Sequence, residues 1–261
     1  AQGNFPVFDT APADFNFSQL FSENTFIGND RIADVNQLTA AAVSRLIDPV
    51  TGAEGIRVAT GFRSYFSEQQ VAITGVAPRT DRRSDLLVAG AGPLAPHWTL
   101  DTGLQYSMAT TVMPKFSVAG RYLPPDGRVL NAGVRYRREQ LGQVDVSTRW
   151  PVLDGWNSLV RLNYSFLNEG FDPVSRVQNT RGFVEGLLGF EYSASCWALR
   201  LLTQQFRTAA NTSTTAFFVQ LELNGVGTIG QNPFLVLQRN IPGYRLPQGS
   251  LEPGSRYFGY E

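Results

Sequence analysis

The residue types that usually perform chemistry are scarce in this sequence. Its only histidine, His97, stands in Pro96-His97-Trp98 without a Ser or Cys pattern that would make it a general base. One histidine and one cysteine, Cys196, cannot build a zinc site, and no helix follows the glycine-rich pieces to bind a phosphate. We therefore expect no catalysis and no metal or cofactor site. A single cysteine also cannot form a disulfide within the chain.

The composition argues against several other function classes. The 22 basic and 22 acidic residues balance, which does not indicate nucleic-acid binding or a polybasic membrane anchor. No run of eighteen apolar residues exists, so we expect no transmembrane helix. Residues 1–6 have neither a charged n-region nor an apolar h-region, which predicts a cytosolic protein or a processed or partial chain.

Apolar and polar residues alternate with a period of two from residue 36 onward, as half-buried β-strands require. No helical period competes with this alternation over a comparable length. The pattern predicts an all-β antiparallel meander. Its eleven strands are expected at about residues 36–47, 55–66, 85–92, 98–111, 115–123, 128–138, 142–152, 157–167, 181–192, 196–207 and 214–225.

The connections between these strands are short on one side of the sheet and longer on the other. The long connections, 67–84 and 168–180, share their side with segment 1–35, and this asymmetry is typical of outer-membrane β-barrels. Most of the strands have the 9–11 residues of a tilted transmembrane strand or slightly more, and aromatic residues at their ends suit interfacial girdles. We predict a transmembrane β-barrel, with a soluble β-sandwich or β-solenoid as the alternative. Strand parity then puts Cys196 on the short-turn, periplasmic rim.

One face of the predicted strands is charged, and a barrel would turn this face toward a wet lumen. Its residues could line a pore or bind an anionic amphiphile or a plug protein, and the sequence leaves both open. Single-chain bacterial barrels have even strand numbers, so a count of eleven predicts part of a larger barrel unless one strand has been miscounted. The charged residues assigned to the lumen are Arg121, Arg135, Arg137, Arg149, Arg161, Glu185, Arg200 and Glu222.

Three stretches of the chain resemble one known family. The first joins Leu20-Phe21-Ser22-Glu23-Asn24 to Gly28-Asn29-Asp30-Arg31-Ile32, the second is residues 191–200 around Cys196-Trp197, and the third is residues 238–244. Their order and spacing are similar to the C-terminal half of the LPS-assembly protein LptD of Gram-negative outer membranes. The resemblance covers nearly the whole chain.

The resemblance implies that the chain supplies the last eleven strands of a 26-stranded barrel that inserts lipopolysaccharide (LPS) into the outer leaflet. In that family an LptE-like lipoprotein plugs the barrel, and an N-terminal jellyroll receives LPS from an LptA-like periplasmic bridge. LPS leaves sideways between the first and last strands while its sugar passes through the lumen. The domains expected are an extracellular or lumenal loop segment 1–35, barrel strands 36–226 and a periplasmic tail 227–261.

The resemblance also implies two kinds of site residue. Family members carry two adjacent cysteines at the 193–197 turn, each disulfide-bonded to the N-terminal domain. Cys196 matches the second of these and Ser195 replaces the first, which leaves at most one bridge. Strand 214–225 would be one side of the lateral gate. Its gate residues would be Phe217, Val219, Leu221 and Leu223.

A porin-like diffusion channel is the alternative function. Such a channel explains the alternation of the strands but does not explain the motifs in residues 19–32 or the cysteine at position 196. In both cases the surrounding partner is outer-membrane lipid rather than nucleic acid.

Overall fold

A computed structural model of the chain describes residues 9–28, 30–73, 80–167, 170–172, 177–179, 181–194, 196–209, 212–223 and 227–245. Parts of the predicted terminal segments and long loops, together with Ser195, lie outside the described residues. Among the described residues, no helix is both long enough and apolar enough to cross a membrane.

One antiparallel sheet of twelve strands dominates the fold. In chain order the elements are β1 (Ala11–Pro12), α1 (Phe17–Leu20), β2 (Phe26–Ile27), β3 (Gln37–Ile47), β4 (Glu54–Tyr65), β5 (Leu86–Ala95), β6 (Trp98–Ser107), β7 (Val112–Tyr122), β8 (Val129–Arg137), β9 (Leu141–Leu153), β10 (Trp156–Ser165), β11 (Gly170–Asp172), β12 (Val177–Asn179), β13 (Gly182–Ser193), β14 (Trp197–Ala209), β15 (Thr212–Leu223), β16 (Gly227–Gly230) and α2 (Phe234–Asn240).

The large sheet follows chain order almost throughout. Its strand order is β16-β15-β14-β13-β10-β9-β8-β7-β6-β5-β4-β3, which makes it a meander. The pairs β1–β2 and β11–β12 form separate two-stranded sheets, the second inserted between β10 and β13. The predicted all-β antiparallel meander is therefore confirmed.

All eleven predicted strands are present with ends shifted by a few residues, and the expected count of about eleven is one short of the described sheet. The sheet has twelve strands, because β16 pairs with Gln220–Leu223 of β15. The sequence did not predict β16, because this strand has only four residues with glycine at both ends and shows no alternation of apolar and polar residues. An odd number of strands therefore gives no reason to infer a larger barrel. Strand β16 and helix α2 also lie inside residues 227–261, for which the sequence predicted only a tail; the periplasmic location of that tail stays a prediction.

The described residues divide into two compact units, one formed by residues up to 91 with 103–116 and the other by 92–102 and 117 onward. In the first unit, the segment that contains α1 is held against β4 by Arg63, which is 1% exposed. The Arg63 guanidinium donates to the backbone oxygens of Gln19, Leu20 and Ser22, the last two at 2.7 Å. Gly61 leaves the room that Leu20 occupies, since a Cβ there would lie 2.4 Å from Leu20 Cδ2.

In the second unit, α2 packs on one face of the strands. Leu237, Ile241 and Tyr244 form a buried cluster with a residue from each of four strands. The helix begins after Asn232-Pro233, where proline suits the first turn, and Pro242 follows its end. The strand residues of this cluster are Val129, Leu159, Leu187 and Leu202.

The two faces of this second unit are inverted relative to a soluble protein. We call the face that carries Glu191 and Arg200 the inner face, and there these charged residues are 0% and 2% exposed. On the opposite, outer face, the apolar side chains of Leu188, Phe190 and Leu201 are 51%, 43% and 39% exposed. An apolar outward face and a polar inward face are what a strand between lipid and an aqueous lumen requires.

Candidate functional site

Glu191 of β13 is the centre of a polar network on the inner face. Its Oε1 accepts hydrogen bonds from Arg149 Nη2 at 2.8 Å and Nε at 3.1 Å. Its Oε2 accepts from Arg200 Nε at 2.8 Å and from the Tyr244 hydroxyl at 2.5 Å. Removing this carboxylate from water would be costly without partners, and four charge-assisted or short hydrogen bonds supply them.

Arg200 extends the network across the next strand. Its Nη1 donates to Gln220 Oε1 at 2.9 Å and to Glu222 Oε2 at 2.6 Å. Pairing in the sheet places Glu191 directly opposite Arg200, and Arg200 directly opposite Gln220. The charges thus meet because side chains at paired positions project from the same face.

Arg161 of β10 is the centre of a second cluster on the same face. It donates to Asp145 Oδ2 from Nη2 at 2.8 Å and to Glu185 Oε2 from Nη1 at 2.8 Å. The same Nη1 donates to Asn240 Oδ1 at 2.6 Å. Gln204 binds the other oxygen of Glu185 at 2.9 Å. Side chains from β9, β10, β13, β14 and α2 are joined in this way.

Residues 233–244, which we call the C-terminal segment, cover both clusters. Besides the contacts of Asn240 and Tyr244, Asn131 Nδ2 donates to the Pro242 carbonyl at 2.9 Å. Gly243 has a φ of +93°, a left-handed conformation that favours glycine. Burial away from water and the nearby Glu191 carboxylate raise the pKa of the Tyr244 hydroxyl above its ordinary value.

The network is nearly neutral within itself. Three arginines, Arg149, Arg161 and Arg200, are bonded to carboxylates of the chain at 2.6–2.8 Å. Their charge is therefore committed to folding rather than offered to an anionic ligand. The four carboxylates involved are Asp145, Glu185, Glu191 and Glu222.

The other three predicted lumenal arginines each contact a neutral side chain. Arg121 Nε donates to Asn131 Oδ1 at 3.1 Å, and Arg137 Nη1 donates to Gln140 Oε1 at 3.3 Å. Arg135 is exposed, and its Nη2 reaches Gln143 Oε1 only at 3.5 Å. Arg135 is thus a better candidate for an exchangeable anion contact than the arginines of the network. The assignment of these residues to a lumen stays a prediction.

The predicted gate residues lie on β15, the last long strand of the sheet. Phe217 and Val219 are 74% and 57% exposed on its outer face, while Leu221 and Leu223 are half-buried. Leu221 and Leu223 pair with Ile229 and Gly227 of β16. Among the described strands, none pairs with Thr212–Val219 on the side away from β14.

Cys196 is a free, exposed thiol in the turn between β13 and β14. Next to this turn, the ring of Tyr192 lies 5.1 Å from that of Trp156 and 4.9 Å from that of Trp197. Its disulfide to a domain outside the chain stays a prediction. His97, the other singled-out residue, occupies a turn with a φ of +65°, and its carbonyl accepts a hydrogen bond from Leu123 N. Among the described residues, no group of three or more His, Cys, Asp and Glu is placed to hold a metal ion.

A second aromatic row lies along neighbouring short-turn ends. The ring centroid of Tyr122 lies 5.0 Å from that of Trp98 and 6.4 Å from that of Trp150, and the Arg128 guanidinium stacks 5.3 Å from the Trp150 ring. Contacts between aromatic rings at successive strand ends are what an interfacial girdle would contain.

An antiparallel sheet of long strands with exposed apolar side chains on one face and a buried polar network on the other is a segment of an outer-membrane β-barrel. A family model described as LptD, LPS transport system D, matches residues 1–156. Curated relatives named LPS-assembly protein LptD extend the match to nearly the full chain. That of Thiobacillus denitrificans is 41% identical over 97% of this chain and 33% of its own length. That of Aromatoleum aromaticum is 42% identical over 93% of this chain and 29% of its own length.

The chain belongs to the LptD family, as the sequence motifs predicted. It spans about a third of the length of the curated relatives it matches. The porin-like alternative is not favoured by these matches.

Proposed function

We propose that this chain supplies the strands on one side of the lateral gate in an outer-membrane barrel that delivers LPS to the outer leaflet. The observation that carries the proposal is the edge of β15 along Thr212–Val219, which no described strand occupies on its free side. An unpaired strand edge in lipid costs several kcal/mol per backbone group, so a partner strand must cover it when the barrel is closed. Family membership supports LPS as the substrate.

The remaining parts of the machinery follow as proposals from the same family membership. An LptE-like lipoprotein would plug the barrel, and an LptA-like bridge would deliver LPS through a domain outside this chain. Cys196 would join that domain by a disulfide, since its thiol is exposed at a short turn. The proposed transport needs no catalytic step by residues of this chain.

The gate can be tested by locking it in full-length protein. A cysteine replacing Val219 would be cross-linked to a cysteine in the first strand of the barrel, and surface LPS would be measured before and after reduction. We expect the lock to stop LPS delivery while the barrel stays assembled. The matched control is the pair Val160→Cys with Leu188→Cys, which are directly opposed within the wall and do not cross the gate.

The proposal fails if the gate lock and the wall lock affect LPS delivery equally. It also fails if purified full-length protein gives a large, steady ion conductance and no lipoprotein copurifies, since that behaviour defines a diffusion channel. The disulfide proposal has its own test, because Cys196→Ser should change the mobility of full-length protein on non-reducing gels but not on reducing gels.

A further inference from the structure

The twelve residues of the C-terminal segment contact four separate strands. Its buried side chains pack on β8, β10, β13 and β14 in the apolar cluster that contains Leu237, Ile241 and Tyr244. Its polar contacts add Asn131 of β8, Arg161 of β10 and Glu191 of β13. A segment that runs across the strands touches each of them over a short part of its length. It can therefore respond to how far one strand has slid along another.

Glu191 depends on three separate parts of the chain. Its hydrogen-bond donors are Arg149 of β9, Arg200 of β14 and Tyr244 of the C-terminal segment. Because the carboxylate is fully buried, the loss of any donor leaves its charge poorly compensated in a site that water does not reach. The site is satisfied only when all three parts are in place at once.

A slip in strand register would break this arrangement. A shift of one residue moves Glu191 to the apolar outer face, and a shift of two residues moves it about 7 Å along the strand. Either displacement exceeds the reach of hydrogen bonds that are now 2.5–3.1 Å long. The docked segment and the native register of the wall therefore require each other.

We propose that the C-terminal segment is a register lock for strands β8–β14, with the Glu191 carboxylate as its positioning group. The segment follows strands β8–β14 in the sequence, so it docks only after those strands have been synthesised, and its docking selects the wall in which Glu191 meets all its donors. This role goes beyond LPS transport and does not depend on it.

The lock can be tested through the register itself in refolded full-length protein that carries Cys196→Ser. Cysteines at Phe190 and Leu201, which are direct partners, report the native register. Cysteines at Phe190 and Thr203 report a two-residue slip. Chains ending after Gln231, which lack the segment, would be compared with chains ending after Arg245, which keep every described contact of the segment.

We expect the chain ending at Arg245 to form almost only the native cross-link. The chain ending at Gln231 should form the slipped cross-link at a share raised at least on the order of tenfold, because losing the Tyr244 hydrogen bond to the charged Glu191 has about that effect by itself. The proposal is overturned if the shorter chain forms the native cross-link as exclusively as the longer one.

Single-atom variants decide the matter if the shorter chain does not fold. Tyr244→Phe removes only the hydroxyl that reaches Glu191 and should raise the slipped share. Tyr164→Phe is the matched control, because its hydroxyl receives only a 3.4 Å contact from Arg181 on the outer side. Equal slipped shares in the two variants would overturn the register lock, whereas general loss of stability would lower both cross-links together.

Discussion

Replacing Glu191 by glutamine tests the central network at almost constant volume. The amide oxygen can still accept from one arginine, but the amide NH₂ faces the other arginine, which can only donate. Breaking a buried ion pair by removing one partner costs about 3–5 kcal/mol. Arg200 keeps Glu222 and Gln220, whereas Arg149 keeps only the Gly127 carbonyl among its described partners. We therefore expect the lower end of that range, about 3 kcal/mol.

The free energy of unfolding is measured by urea titration of refolded full-length protein in detergent. A second measure of stability is the temperature at which the compact band is lost on semi-native gels. The control is Glu139→Gln, which makes the same substitution in an exposed turn where Glu139 pairs with Arg138. An exposed pair contributes at most about 1 kcal/mol, so the control should change little.

A double-mutant cycle sharpens the test. Tyr244→Phe alone should cost about 1.5–3 kcal/mol, because it removes a hydrogen bond to a buried charge. In the Glu191→Gln background the same change should cost clearly less, since the charge that the hydroxyl served is gone. If the two substitutions add without coupling, or if Glu191→Gln matches its exposed control, the network does not stabilise the fold as argued.

Three further predictions follow from other contacts. The pKa of Tyr244 is raised by burial and by Glu191. The neutral hydroxyl therefore contributes fully to the free energy of unfolding below the ordinary tyrosine pKa, and this contribution declines as pH rises above about 10. Unfolding measured at several pH values should show the wild type losing its stability advantage over Tyr244→Phe in that range. Gly189→Ala should destabilise the wall by about 1–3 kcal/mol in urea titration, because the new Cβ would lie 2.7 Å from the Leu201 carbonyl oxygen. Arg63→Met should free the α1 segment, and limited proteolysis should then cleave near residues 17–22 far faster than in wild type.

The strands could be predicted because their signal is local. Residues 130–137 alternate without interruption, and the structure places β8 at Val129–Arg137. The faces were also predictable, since Arg149, Arg161 and Arg200 do share the inner face. In contrast, β16 has four residues and α2 has seven, too few for either period to stand out.

The organisation of the network could not be predicted, because its partners are distant in the sequence. Tyr244 meets Glu191 across 53 positions, and Arg161 meets Asn240 across 79. Nothing in the alternation of β13 distinguishes Glu191 from Glu185, although one lies under Tyr244 and the other binds Gln204. The only signal was the resemblance carried by residues 238–244, which marked the segment as special without saying what it contacts. The assignment of these arginines to a lumen, which stays a prediction, gave no indication that three of them bind the chain's own carboxylates.

The short strand β16 sets a limit on the seam that could close this side of the barrel. It occupies the edge of β15 along Gln220–Leu223, so a further strand can pair with this edge of β15 only along Thr212–Val219. In an antiparallel ladder only alternate residues direct their N–H and C=O groups toward a given neighbour, so about four residues are available to such a seam. With one N–H and one C=O from each of these residues, the seam would have about eight hydrogen bonds, few enough to open as one unit. The third of β15 nearest the short turns, Gln220–Leu223, is then never available to the closing strand.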